Sequence, residues 1–251
     1  MSDDRWAPYG AAAGAIAVVL FAVGFLILPQ PPDFDALPAE RAAFFADQRT
    51  EIHVGNAFFV AAAPFFIWFL ATIGSLTRAG NPGARRAGAV AYGCGLIAIA
   101  LFLADVTAIS VGALRPEAMA ASPELAGALL DFSFLALGAA SLVTAGIFAA
   151  FAVLVLRDRA LWPDWLGWLA VLTSVACGLR IGSLFTTEGV FSVDGALGFY
   201  VPVGALMVWI LVGSIALASS VRSTPEPSGL FGPVSGLLGR VRSTLPGGGS
   251  G

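Results

Sequence analysis

VGNAFFVAAAPFFIWFLATIGSLT, residues 54–77, runs for 24 residues without one charged side chain. About 20 apolar residues in a helix cross the hydrocarbon core of a bilayer. Five further stretches have the same character: 9–29, 87–113, 125–156, 165–186 and 195–220. The third and fourth spans in chain order are long enough to tilt or project. Hydrophobic residues make up 58% of the chain and charged residues 12%, against about 25% charge in soluble domains. The expected fold is all-α, a polytopic bundle of six transmembrane helices. Residues 1–222 are expected to form that domain and 223–251 a tail.

The arginines predict an orientation. With both termini cytoplasmic, the inner side holds Arg5, Arg78, Arg85, Arg86, Arg157, Arg159, Arg222, Arg240 and Arg242. The outer side holds Arg41, Arg49 and Arg115, and Arg180 stays inside a span. This bias follows the positive-inside rule. Trp6, Tyr9, Trp162 and Trp165 fall near the inner ends of spans 1 and 5, a depth that suits amphipathic rings. The first span has Asp3 and Asp4 before it and Pro29, Pro31 and Pro32 after it, which is unlike a cleavable signal peptide.

Three segments lie outside the spans. In the first outer loop, Pro38 and Glu40 suit a helix N-terminus, so 38–50 reads as a short helix on the outer surface. The second outer loop, 114–124, is brief. In the tail, Leu230, Val234, Leu237, Leu238 and Val241 recur at helical spacing around Arg240 and Arg242. An interfacial helix over 229–245 and an unstructured tail both fit that pattern. The final GGGSG reads as a linker.

Several chemistries are excluded. All 13 basic residues are arginine, so neither a retinal Schiff base nor a Ser–Lys hydrolase is available. A net charge of −3 without a basic run argues against nucleic acid. Cys94 and Cys177 sit in apolar spans, form no CxxC and read as packing residues. One histidine, His53, cannot supply paired haem ligands, and no zinc spacing, P-loop, HExxH, GxSxG or dinucleotide fingerprint occurs. No cofactor or metal is called for, and an enzyme is the least supported class.

Charge inside a membrane is costly and marks a candidate site. Asp105, Asp131 and Arg180 lie within spans 3, 4 and 5, each in the outer half. Sequential helices tend to be neighbours, so the three are expected to meet beneath the outer surface. Thr173, Ala176, Cys177, Ser183, Leu184 and Thr187 share the face of Arg180 and are mostly small or polar. Gly178 and Gly182 form a GxxxG on roughly the opposite face. On one reading, Arg180 holds a lipid phosphate or a carboxylate and the aspartates tune it. On the other, a structural ion pair fixes helix register. His53, beside Glu51 and Asn56, either joins the cluster as a titrating group or is an interfacial polar residue. Pro64 and Pro202 can kink their spans, though proline is common in such helices. FFIWF at 65–69 reads as a lipid- or core-facing surface.

The run PPDFDALPAERAAFFADQRTEIHVGNAFFVAAAPFFIWFLATIGSL resembles a stretch in uncharacterised polytopic bacterial membrane proteins from GC-rich genomes. In those, a PPD-like loop leads to an AAFFADQR-like helix and an apolar helix. The resemblance covers about residues 10–80 and implies an inner-membrane protein of unknown function, with no catalytic residues to carry over. Two function classes follow. One is a small transporter, channel or lipid- or anion-binding protein with an outer-leaflet polar pocket. The other is an accessory or scaffold subunit of a membrane complex. The expected partners are the bilayer, a lipid or small anion, and either a membrane protein or further copies of this chain.

Overall fold

A computed structural model describes residues 7–33, 36–78, 80–157, 162–185, 189–190 and 195–222. The interfacial helix expected over 229–245, the final linker, Arg5, Trp6, Arg159 and Thr187 lie outside the described residues. Among those described there is no strand. The chain is an all-α polytopic bundle with six helices long and apolar enough to cross a membrane.

The helices are α1 (Ala7–Ile27), α2 (Pro38–Asp47), α3 (Arg49–Arg78), α4 (Pro82–Leu114), α5 (Pro116–Ala121), α6 (Pro123–Arg157), α7 (Asp164–Leu179) and α8 (Val201–Arg222). Proline opens α2, α4, α5 and α6, where its missing N–H costs nothing. Asn81 caps α4, its Oδ1 accepting from the Ala84 N–H at 2.9 Å. Helix α2 stops earlier than the 38–50 expected from sequence, because the chain resumes as α3 at Arg49. The brief loop after α4 contains the extra turn α5.

Each long helix packs against the next in sequence, and α8 closes back onto α1. The six therefore form a ring. Its wall faces outward with bare apolar side chains such as Trp168, Leu172 and Val175 on α7 and Leu135 and Leu142 on α6. In a bilayer those side chains meet lipid rather than water.

The interior is packed at both ends. Toward the end where α1 begins and α8 finishes, Trp209 is fully buried, stacks on Phe151 at 4.6 Å and meets Phe148 and Trp162 edge-on. Trp162 is thus a core residue rather than the interfacial ring expected from sequence, whereas Trp165 is exposed. At the opposite end, α2 lies across the bundle and buries Ala42, Phe44 and Phe45 with Ile52, Ala113, Met119, Ala126 and Leu130. Gly112 is what admits α2: a Cβ there would overlap the Phe45 ring. The run FFIWF divides between faces, with Phe69 fully buried and Trp68 exposed. Pro64 is accommodated inside a continuous α3.

Helix α7 is shorter than its neighbours. Ser141 Oγ donates to the Cys177 carbonyl at 3.1 Å, and Ser174 Oγ to the Ala145 carbonyl at 2.8 Å. These two bonds pin α7 along α6. Two residues beyond Cys177 the α geometry ends at Leu179, yet α6 continues 18 residues past Ser141 toward its own start at Pro123. The span expected to run to 186 instead tightens into a 3-10 turn over Arg180–Leu184. Gly178 leaves room beside α6: a Cβ added there would stand 4.0 Å from the Ala145 Cβ, an ordinary contact.

Candidate functional site

Between the two packed ends the ring encloses a cavity of about 630 Å³. Side chains from all six long helices line it. Its rim includes the 29–33 segment, Gly189 and the exposed Tyr200, so the space reaches the molecular surface at the α2 end. A volume of this size fits the range of small-molecule sites, roughly 300–1,000 Å³.

Most of the wall is apolar. Phe21, Phe25, Phe59 and Phe102, from α1, α3 and α4, form a continuous aromatic surface with ring centroids 4.9–6.2 Å apart. Phe199 extends it, 5.6 Å from Phe25. Offset and edge-on contacts of this kind hold each ring's orientation. Phe199 belongs to a π-helical turn, Ala196–Tyr200, that leads into α8. Such turns recur at functional positions. Pro202 follows at once and also lines the cavity.

The polar groups are few and converge. Arg180 is 2% exposed, and its Cζ lies 5.3 Å from the centre of the Phe199 ring. That distance suits a cation–π contact. Its Nε is buried without a hydrogen-bond partner. Ser183 Oγ donates to the Arg180 carbonyl at 2.8 Å and steadies the 3-10 turn that carries it. Asp105, 8% exposed, accepts a hydrogen bond from Ser133 Oγ on α6. Asp105 and Arg180 attract each other electrostatically and line the same cavity. Among the described residues they form no direct ion pair. Asn56, also on the wall, donates from Nδ2 to the Val106 carbonyl at 3.2 Å and to Ser110 Oγ at 2.8 Å.

The three charges expected to meet do not all do so. Asp131 points away from the cavity and pairs with Arg41 of α2, Nη2 to Oδ1 at 2.5 Å. The reason is azimuth. Ser133, two residues on and so about 200° around the helix, faces Asp105. Asp131 must then face elsewhere. Gly127, one turn before it, shares its face, and the same Arg41 nitrogen donates to the Gly127 carbonyl at 3.2 Å. The missing side chain at Gly127 lets the guanidinium approach the backbone, 3.3 Å from where a Cβ would stand. His53 is half-buried in the first turns of α3 and lies outside the cavity lining. Cys177 does line it, and Thr173 is buried with its hydroxyl turned to the Leu169 carbonyl.

No family model, curated protein or solved structure matches the chain. Four of the site's residues carried no sequence signal. Ser133 and Asn56 are neutral, Phe199 was one apolar residue among many, and Arg41 counted only as a loop charge. Among the described residues no group of His, Cys, Asp and Glu could hold a metal ion.

Proposed function

We propose that this chain is a multi-pass protein of a bacterial inner membrane that binds and transports an amphipathic anion through the central cavity. The head group, a carboxylate or phosphate, pairs with Arg180, and the apolar body lies along the phenylalanine wall. Both termini are cytoplasmic in this reading, supported by the surplus of arginine in the loops of that side.

One observation carries the proposal: a cavity-lining arginine, almost wholly buried, retains a buried N–H donor without a partner. Leaving such a donor unsatisfied costs about 1–3 kcal/mol, and more beside a charge. An anion with two oxygens in one plane relieves that cost, because the guanidinium presents its donors as a fork. The aromatic surface beside it supplies the contact area that most ligand sites draw from apolar side chains. A purely structural arginine would be expected to pair directly with Asp105, and it does not.

The test is native mass spectrometry of the wild type and of Arg180→Gln, purified identically. The wild type should retain an anionic amphiphile that the folded variant loses. If neither retains one and the wild type arrives bound to another membrane protein, the accessory-subunit reading replaces this one.

A further inference from the structure

The cavity holds one buried acid and one buried base, and their charges cancel. We infer that the anion enters together with one proton, which is taken up by Asp105. This inference rests on the anion-site reading above and adds its coupling ion.

Arg180 and Asp105 are 2% and 8% exposed. With Arg180 positive and Asp105 negative, the two buried charges of the cavity cancel. A monoanion placed on Arg180 leaves a net negative charge in a largely apolar enclosure, where uncompensated charge is expensive. It also offsets the positive field that Asp105 feels from Arg180. A proton on Asp105 restores neutrality. The geometry has room for it: Ser133 occupies Oδ1, so the proton goes to Oδ2 while the Ser133 bond persists. A proton needs only one such oxygen, whereas hard metal cations of the calcium type gather six or more.

The surrounding groups leave Asp105 as the acceptor. The titratable residues lining the cavity are Asp33, Asp105, Cys177, Arg180 and Tyr200. Asp33 is exposed at the rim and already solvated, and so is Tyr200. Cys177 lies beside Arg180, and its sulfur is only a weak acceptor. From the other elements packed on α4, α6 presents Ser133 while Asp131 is turned toward Arg41 of α2. Helix α3 presents the neutral Asn56, with His53 outside the lining. Glu117 of α5 lies outside the lining as well.

Linkage then sets the pH dependence. One proton bound per anion makes affinity fall about tenfold for each unit that pH rises, wherever the free Asp105 is ionised. Protons come from the bulk on one side and leave with the anion on the other. Transport would thus be electroneutral for a monoanion.

The test uses 1-octanesulfonate, whose head group stays ionised throughout, so any proton taken up must go to the protein. The full chain is placed in nanodiscs of zwitterionic lipid, and empty nanodiscs give the partitioning blank. Isothermal titration in two buffers of different ionisation heat counts the protons. Wild type should take up about one proton per sulfonate. Asp105→Asn should bind with no uptake and no pH dependence, and Arg180→Gln should not bind. Binding without proton uptake in the wild type overturns the coupling and leaves the anion site standing. Uptake that persists in Asp105→Asn overturns the assignment to Asp105. No Arg180-dependent binding at all overturns both readings. Should Asp105→Asn fail to fold, infrared difference spectra of the wild type decide the matter. A carboxylic acid C=O band must appear when the sulfonate binds, and its absence refutes the proposal.

Discussion

Removing either partner of the Arg41–Asp131 pair should have unequal consequences. The carboxylate side chain is 46% exposed and the guanidinium side chain 9%. In Asp131→Ala, Arg41 remains trapped beneath α2 with the Gly127 carbonyl as its acceptor and with Nε already unpartnered. Stranding a fully buried charge costs about 3–5 kcal/mol, and the solvent that reaches this pair lowers that to roughly 2 kcal/mol. In Arg41→Met the aliphatic stem is kept, and water takes over the half-exposed carboxylate. The loss is then that of a surface-like pair, about 1 kcal/mol or less. The Gly127 carbonyl sits inside α6 and keeps its helical partner. The double variant should resemble Arg41→Met, because nothing is left stranded. Hydrogen exchange of the α2 amides in nanodiscs reads these differences as local opening. Opening should rise roughly 30-fold in Asp131→Ala and about fivefold or less in Arg41→Met. If Arg41→Met opens α2 more than Asp131→Ala does, the burial argument is wrong.

Gly112→Val should push α2 off its seat, since the new side chain overlaps the Phe45 ring; overpacking of this kind costs about 1–3 kcal/mol, read by thermal unfolding. Trp209→Ala should cost about 3–5 kcal/mol, because it empties the stack with Phe151 and Phe148 at the sealed end. Phe199→Leu should leave thermal stability nearly unchanged yet weaken sulfonate binding several-fold, the loss of a cation–π contact of about 0.5–2 kcal/mol.

The six spans were legible because bilayer thickness imposes a length that few other constraints mimic. Depth was legible for the same reason, and it placed Asp105, Asp131 and Arg180 in one half of the bundle. What was not legible was direction around each helix. Asp131 and Ser133 are two residues apart and face nearly opposite ways. Choosing between them requires knowing which side of α6 meets α4 and which meets α2. The docking of α2 was equally hidden, since it depends on Phe45 finding the bare backbone at Gly112. The early end of α7 left no mark either. Residues 180–184 are apolar or small apart from Arg180, and hydropathy alone extends the helix through them. That ending matters, because it puts Arg180 on a tight turn against the π-helical Phe199 instead of on a regular helix face.

The central claim is that an anionic head sits at Arg180 with its apolar body on the phenylalanine wall. The most direct measurement is photocrosslinking with a fatty acid bearing a diazirine in its chain, mapped by peptide mass spectrometry in wild type and Arg180→Gln. The account predicts adducts on the cavity stretches of α1, α3 and α4 around Phe21, Phe59 and Phe102, lost in the variant. Adducts confined to the lipid-facing side of α7, around Trp168, Leu172 and Val175, and unchanged by the variant, would contradict it.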